Sequence, residues 1–307
     1  MKKTIRIYGG IFLAMLFWSF SFIWFKIANE TFRPVTIVFM RLIIAIGILT
    51  TYLFIKRKFV TIRKEDRKLF LMLAVFEPFL YFLGESFGLT YVSATVGSVI
   101  ISTIPVVATI GAWLIFRERL RIINYFGIIV SFIGVVIFVM NKGGGLTFSI
   151  KGLALLSLAV ISATGYNLTL SRLVGGYGPV FIVNVQNIIG AILFLPVFLI
   201  FDLKAFTELQ FTLKSFLPVA ALAFFASCGA FILFAFSIRQ IGVTKANVFT
   251  NFIPLFTAVF SFIILGDKLT FQNILGMIIV ISGLIMSQLN GRTGKSDEAV
   301  ILTGKTA

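Results

Sequence analysis

Four ionisable side chains lie inside long apolar stretches of this 307-residue chain: Lys26, Arg41, Glu77 and Glu85. A charge inside a membrane is costly, so such residues pair, face water-filled cavities or take part in ion and substrate pathways. Glu77 stands in the stretch VFEPFLYFLGESFG, directly before a proline. An isolated buried carboxylate avoids the cost of its charge by binding a proton. We interpret Glu77 as a proton-coupling residue; the alternative is a permanently protonated side chain bonded to the turn that the proline breaks.

These residues must be positioned by helices that cross a membrane. The chain is 59% hydrophobic and 12% charged, and apolar runs of about 20 residues, the length that spans a bilayer core, recur along it. The sequence therefore predicts an all-α integral membrane protein with ten transmembrane helices. The predicted helices are 8–28, 34–55, 69–89, 94–116, 122–140, 152–172, 179–201, 216–238, 244–265 and 273–289.

The distribution of basic residues predicts the topology. If the N-terminus is cytoplasmic, 19 of the 27 Lys and Arg residues fall in cytoplasmic segments and 6 in external ones. Cytoplasmic loops of membrane proteins carry such an excess, so both termini are expected in the cytoplasm and the protein in the inner (plasma) membrane. The net charge of +16 is thereby explained without nucleic acid. The basic loop 56–68 is most simply a topology signal, although it could also bind anionic membrane lipid.

This topology assigns each buried charge a depth. Lys26, Arg41 and Glu85 share the outer half of the membrane, within about 10 Å of its boundary, whereas Glu77 lies near the midplane. Arg41 is the predicted partner of Glu85, with Lys26 second. The pair either fixes helix packing or closes an outer gate. Lys26 could also extend to the headgroups.

An internal repeat organises the helices. Residues 95–138 match 244–287 at a constant shift of 149, which aligns Pro105 with Pro254, Asn124 with Asn273, and two glycines with two others. We expect a five-helix repeat at 8–140, a second at 151–289, and a cytoplasmic tail at 290–307. An odd number of helices inverts the second copy, and inverted repeats are typical of secondary transporters with alternating access. Channels and passive scaffolds built by duplication remain alternatives.

Several motifs resemble one family. FWSFSFIWFK near the N-terminus, FMRLIIAI in helix 2, and STIPVVATIGAWLIFRERL in helix 4 with its second copy NFIPLFTAVFSFIILGDKL resemble the EamA-type members of the drug/metabolite transporter superfamily. The resemblance covers residues 5–290 and implies a bacterial inner-membrane carrier, commonly an exporter of amino acids or other small metabolites and drugs. It leaves the substrate, direction, coupling ion and oligomeric state open. The sequence departs from symmetry where Gln186 matches Arg41, so any basic site is one-sided.

Uncharged polar residues near the midplane are candidate substrate contacts, because amides can bond both the carboxylate and the ammonium of a zwitterion. Their alternative role is to bond helices together. The candidates are Trp18, Tyr166, Asn167, Asn184, Gln186, Asn187, Asn247 and Asn251.

The sequence predicts neither a cofactor nor a metal site. It contains one cysteine, Cys228, and no histidine, and no phosphate-binding loop of the Walker type occurs. An enzyme would need a nucleophile with its base, or grouped acids, at one membrane face, and no such group stands out. A channel or facilitator for small solutes is the other class considered, although lone acids do not form the repeated polar ring of many pores. A transporter of a small molecule, with proton coupling left open, fits best.

Overall fold

The computed structural model describes residues 2–108, 110, 122–139, 149–209, 211–268 and 270–288, which form helices joined by short connections, with no strand in these ranges. We number the apolar helices in chain order. They are α1 Lys2–Ala28, α2 Pro34–Ile55, α3 Lys64–Tyr91, α4 Ala94–Ala108, α5 Ile122–Val139, α6 Ile150–Leu173, α7 Pro179–Phe201, α8 Leu213–Ile241, α9 243–265 and α10 Phe271–Gln288. A short helix, Leu203–Thr207, lies in the segment predicted as a plain connection between α7 and α8.

The fold class predicted from the sequence is confirmed. Within the described ranges, seven helices are long and apolar enough to cross a membrane, and three shorter apolar helices complete the set of ten. The first helix begins at Lys2 rather than at residue 8. The predicted tail, 290–307, lies outside the described residues, as does the RERL end of the motif STIPVVATIGAWLIFRERL.

Local sequence accounts for where several helices begin. Pro34 and Pro179 each occupy the first turn of their helix, where the missing N–H costs nothing. The Ser93 side chain caps α4 by accepting from the backbone N–H of Val96. Thr212 and Ser215 form a reciprocal capping box at the start of α8. These local signals fix where α2, α4, α7 and α8 begin.

Within the described ranges, four helices are interrupted, in two equivalent pairs. A π-helical segment occurs in α3 at Val75–Leu80 and in α8 at Leu222–Ala230. A turn at residues 102–103 interrupts α4, and a 3₁₀ turn at Phe249–Asn251 interrupts α9, each just before the prolines aligned in the repeat. Such irregular backbone inside membrane helices is tolerated where it is buried in protein or lines a cavity.

The helix contacts follow the two-fold relation of the repeats. Helix α3 packs on α6, and its counterpart α8 packs on α1. The pairs α2 with α7, α4 with α9, and α5 with α10 each join a helix to its own counterpart. This pairing is what two inverted copies of a five-helix unit produce, and it surrounds a common centre.

The contact between α5 and α10 is built on glycine. A Cβ added to Gly127 would lie 2.7 Å from the Gly283 carbonyl oxygen, and one added to Gly134 would lie 3.0 Å from that of Gly276. Both distances are too short for a side chain, so the two backbones touch directly, as small residues allow in membranes. The shift of 149 relates Gly127 to Gly276 and Gly134 to Gly283.

Candidate functional site

The break in α3 is centred on Glu77. Its backbone is extended, with φ −150° and ψ 120°, and the Glu77–Pro78 peptide is cis. Pro78 has no N–H to donate to the carbonyl four residues earlier, so the regular ladder is lost at this turn. The sequence-based expectation of a locally broken helix at this proline therefore agrees with the backbone observed.

Two glycines on neighbouring helices make room for the broken segment. A Cβ on Gly190 of α7 would lie 2.1 Å from the Pro78 ring, and a Cβ on Gly165 of α6 would lie 2.7 Å from the Phe76 ring. Phe76 and Pro78 are thus wedged between α6 and α7, with Glu77 between them. The wedge holds the break in place and leaves the carboxyl group facing the centre of the bundle.

The Glu77 side chain lines a central cavity between the helices. Its wall is mostly aromatic and aliphatic, with a small number of polar and ionisable groups, which is the usual composition of a small-molecule site. The lining residues are Trp18, Ser21, Phe22, Arg41, Glu77, Tyr81, Phe82, Glu85, Ile101, Ile104, Ala163, Tyr166, Asn167, Phe231, Phe234, Asn247, Thr250 and Ile253. Glu77 is only 6% exposed, and no hydrogen bond to its carboxyl group is found among the described residues.

The direct ion pair predicted between Arg41 and Glu85 is wrong for this conformation. Both side chains line the cavity, but the ion pairs within 4.0 Å among the described residues are Arg33–Asp202 and Arg63–Asp66. Arg41 Nε donates to Ser227 Oγ at 2.8 Å, and its guanidinium lies 4.2 Å from the centre of the Phe82 ring. The attraction between the Arg41 and Glu85 charges therefore acts over more than 4.0 Å, across the cavity.

Glu85 is bonded within its own helix. Its Oε1 accepts a hydrogen bond of 2.8 Å from the Tyr81 hydroxyl one turn earlier. Gly84 and Gly88 lie beside it against α6, where an added Cβ on Gly84 would be 2.4 Å from the Leu155 carbonyl oxygen. Gly84 and Gly88 therefore form the α3–α6 contact, and Glu85 is directed toward protein rather than lipid.

Lys26 contacts neither Glu85 nor the cavity. Its Nζ donates to the carbonyl oxygens of Leu89 and Val92, both at 2.5 Å, where α3 ends. These carbonyls have no partner further along the helix, and a cation at a helix C-terminus is favourable. Both the secondary pairing with Glu85 and the extension to headgroups are thus corrected to a helix-end contact.

The eight candidate substrate contacts divide into two groups. Trp18, Tyr166, Asn167 and Asn247 line the cavity, and Asn167 Nδ2 donates to Asn247 Oδ1 at 3.2 Å, joining α6 to α9. Trp18 packs edge-on against Phe231 and Phe234. The remaining four lie outside the lining: Asn184, Gln186, Asn187 and Asn251.

The four amides outside the lining are buried behind it. Gln186 Oε1 accepts from the Tyr166 hydroxyl at 3.3 Å, and Asn184 Oδ1 accepts from Thr50 Oγ1 at 3.1 Å. Gln186 Nε2 and Asn187 Nδ2 have no hydrogen-bond partner within the described part of the chain, and neither has either side-chain atom of Asn251. Sequence reasoning missed Tyr81, Ser21 and Thr250; the four-residue spacing of Tyr81 and Glu85 was the available signal for the first.

The lining repeats the two-fold relation residue by residue. Fourteen of the lining residues form seven pairs, at a shift of 145 between α1 and α6 and of 149 elsewhere. These pairs are Trp18/Ala163, Ser21/Tyr166, Phe22/Asn167, Phe82/Phe231, Glu85/Phe234, Ile101/Thr250 and Ile104/Ile253. Four lining residues have no counterpart in the lining. Arg41 of α2 corresponds to Gln186 of α7 at a shift of 145, and at a shift of 149 Glu77, Tyr81 and Asn247 correspond to Ala226, Ala230 and Ser98. The cavity therefore has symmetric walls with asymmetric chemistry.

Ten helices in two inverted halves around a central cavity with a few polar groups define a membrane transporter fold. The model of the EamA-like transporter family matches residues 6–140 and again 150–289. The chain therefore belongs to the EamA-like transporter family, in agreement with its resemblance to the drug/metabolite transporter superfamily.

Similar proteins extend over nearly the whole chain. The uncharacterized transporter YcxC of Bacillus subtilis (strain 168) is 26% identical over 289 residues, covering 91% of this chain and 93% of that protein. An uncharacterized transporter of Archaeoglobus fulgidus is 24% identical, covering 92% and 98%. A protein known from its crystal structure superposes with a TM-score of 0.69 at 13% identity, over 91% of this chain and 97% of that one, and shares the fold. Family and relatives thus indicate a multi-pass membrane transporter of small molecules rather than an enzyme.

Proposed function

We propose that the protein is a secondary transporter that exports amino acids or other small metabolites, drugs included, by alternating access, and that protonation of Glu77 couples export to the proton gradient. The observation that carries the proposal is the environment of Glu77. Its side chain lines the central cavity, at a break in α3, without a hydrogen-bond partner among the described residues. Such a group is charged when water reaches it and neutral when the cavity closes around it.

The rest of the lining supports a substrate with two ionic ends and an apolar body. Arg41 can bind a carboxylate, because its guanidinium faces the cavity. Asn167 and Asn247 offer amide groups that bond either sign of charge. Trp18 and Phe234 supply an apolar wall. Asn184, Gln186, Asn187 and Asn251 would then act from behind the lining.

The proposed orientation follows from the basic residues. Both termini and the tail 290–307 are in the cytoplasm, the membrane is the plasma membrane, and the repeats 8–140 and 151–289 are the two moving halves. Arg41 and Glu85 would form the outer gate by pairing in a second conformation, with Lys26 securing α1 to the end of α3 near it. Single cysteines at positions 60, 145 and 295, in a chain lacking Cys228, should react with an impermeant thiol reagent from outside only at 145.

The function is tested in proteoliposomes with a panel of labelled amino acids, with and without a pH gradient. Accumulation that depends on the gradient is expected for at least one compound. Glu77→Gln should abolish gradient-driven flux and preserve counterflow, which needs only the loaded carrier to reorient. Glu30→Gln, an exposed glutamate, is the matched control. Gradient-driven flux near the wild-type rate in Glu77→Gln would remove proton coupling at this residue.

The same assay separates a carrier from a channel or facilitator. A carrier exchanges labelled for unlabelled substrate faster than it moves substrate in one direction, because the loaded form reorients. Downhill flux that substrate on the opposite side never accelerates would make the protein a facilitator and overturn alternating access.

A further inference from the structure

We propose that a buried hydrated track between α2, α6 and α7 carries protons between Glu77 and the end of the bundle where α7 begins and α2 ends. The track consists of Tyr166, Gln186, Asn187, Asn184 and Thr50. The proposal rests on the proposed function, because it supplies a route for the proton that Glu77 binds. It assigns the predicted amides of α7 to proton passage rather than to substrate contact.

The track begins directly beside Glu77. Gly190 contacts Pro78, and Gln186 lies one helical turn before Gly190 on α7. Gly165 contacts Phe76, and Tyr166 follows it on α6. The two glycines that hold the broken segment therefore place Tyr166 and Gln186 next to it, and these two side chains bond each other at 3.3 Å.

Unpaired donors show that the track needs further partners. Gln186 and Asn187 are 1% and 2% exposed, yet Gln186 Nε2 and Asn187 Nδ2 bond no group in the described ranges. A buried polar group without a hydrogen bond is costly, so nearly all such groups in proteins bond to protein or to ordered water. Each of these donors can be satisfied by water, which occupies polar interior sites and bonds several groups at once.

The polar side chains continue away from the cavity. Asn184 lies one turn from Asn187 on the same side of α7, and it is 1% exposed. It bonds Thr50 of α2 at 3.1 Å, and Thr50 is half-buried. Asn184 and Thr50 are each about 7 Å from the end of their helix, because each residue advances about 1.5 Å. The side chains thus span most of the distance from Glu77 to that end.

An aromatic cluster stands at the end of the track. Phe70 and Phe181 both pack edge-on or stacked against Tyr177, and all three are buried. The Tyr177 hydroxyl donates to Asp66 at 2.7 Å, and Arg63 pairs with the same carboxylate. Phe181 precedes Asn184 by three residues on α7, which places the cluster beside this end of the track. In the proposed route, protons leave here toward Asp66 and Arg63 when α3 and α7 move apart.

The proton step balances without a further reagent. The Glu77 carboxylic acid transfers its proton to a neighbouring water and keeps the bonding electron pair as a carboxylate. The excess proton then passes between waters held by the amide groups. Tyr166, Gln186 and the asparagines orient these waters and need not ionise themselves.

Silver ion, which is no larger than a water molecule and binds thiolates, tests whether the track is wet. Single cysteines replace Asn184 or Ile182 in the Cys228→Ala protein; Ile182 lies on the same helix and is fully buried. A thiol ionises only where water reaches it, so Asn184→Cys should react at least tenfold faster than Ile182→Cys. The reaction is followed by the loss of maleimide labelling after denaturation. Equal, slow reaction at both positions would overturn the proposal. Thr50→Cys serves if Asn184→Cys does not fold.

Transport kinetics test whether the track carries protons. Gln186→Met keeps the shape of the side chain and removes its polar atoms. With an amino acid selected by the panel, gradient-driven flux should fall at least tenfold while counterflow stays within twofold of wild type. Thr95→Val, which removes a buried hydroxyl that also lacks a partner within the described residues, is the matched control. Equal loss of counterflow would make Gln186 a substrate contact, and unchanged gradient-driven flux would place the proton route elsewhere. Gradient-driven flux near the wild-type rate in Glu77→Gln would show that the proposed function itself fails. The silver reaction requires neither transport nor proton coupling, so it tests the track independently.

Discussion

The two repeats line one cavity from equivalent positions, but the side chains at those positions differ. The first repeat contributes Arg41, Glu77 and Glu85, and the second offers Gln186, Ala226 and Phe234 at the matching places. Both halves retain an aromatic ring at the Phe82 and Phe231 positions. The shape of the site is thus shared between the halves, whereas its ionisable chemistry belongs to one of them.

The difference shows how a symmetric frame can recognise an asymmetric molecule. Helix positions and interruptions set where side chains enter the cavity, and these are common to both halves. The identity of each side chain is free to change without moving the backbone. A cavity charged on one wall and amide-lined on the other distinguishes the two ends of an amphipathic solute, which a fully symmetric cavity could not do.

The most sensitive test makes the two halves alike at one position. Arg41→Gln gives α2 the residue that α7 carries at Gln186. The apparent KM for a carboxylate substrate should rise about 10- to 150-fold, because a hydrogen bond to a charged group contributes about 1.5–3 kcal/mol. Arg239→Gln, at an exposed position, is the control. An unchanged KM would show that the asymmetry does not serve substrate recognition.

The two halves also differ in how closely their equivalent helices pack at one position. Gly84→Ala should lower the free energy of unfolding by about 1–3 kcal/mol, because its Cβ would lie 2.4 Å and 2.8 Å from backbone atoms of α6. The matching position in α8 is Leu233, which faces Gly10 of α1 at an ordinary contact distance. Thermal unfolding in detergent measures the change. Gly47→Ala, with nothing within 4 Å, should be neutral or stabilising, and equal behaviour of the two variants would remove the tight α3–α6 contact.

A charge exchange asks whether Arg41 and Glu85 pair in a second conformation. Each single reversal, Arg41→Glu or Glu85→Arg, should impair transport, because it places like charges around one cavity. The double exchange should recover part of the lost flux if the pair closes a gate during the cycle. Recovery no greater than in the weaker single variant would confine both residues to the contacts seen with Ser227 and Tyr81.

The smallest effect is expected at the end of the bundle where α2 begins. Asp202, at the end of α7, accepts hydrogen bonds of 2.9 Å and 2.8 Å from the Thr36 N–H and hydroxyl in the first turn of α2. The start of α7 has no side-chain cap. Asp202→Ala should cost about 1–2 kcal/mol of unfolding free energy, and Arg33→Ala less than about 1 kcal/mol, since the Arg33 side chain is exposed and lies 3.9 Å from the carboxylate. Equal costs would mean that the ion pair, rather than the cap, stabilises this contact.

Helix number and repeat structure could be predicted because each depends on position along the chain. Hydrophobic length sets the spans, and a constant shift between Pro105 and Pro254 reveals the duplication. The break at Pro78 follows from the missing N–H of proline. These features need no knowledge of how the helices are rotated about their axes.

The contacts of the charged groups depend on that rotation and could not be predicted. Depth alone made Glu85 the partner of Arg41, but Arg41 reaches Ser227 on α8, 186 residues away. Lys26 bonds the backbone carbonyls of Leu89 and Val92 at the end of α3. No pattern in the sequence indicates that this helix end faces Lys26. The amides of α7 were recognised by type, whereas their place behind the lining follows from the glycines that admit Phe76 and Pro78.

The glycine contact between α5 and α10 bears on how such a chain can arise. Gly127 meets Gly283 and Gly134 meets Gly276, and the repeat turns each of these pairs into the other. The contact is isologous: one surface meets a copy of itself turned over. A single five-helix unit inserted in both orientations would carry all that this contact requires. Two identical polypeptides could not differ at one position, whereas this chain carries arginine at position 41 of one half and glutamine at position 186 of the other.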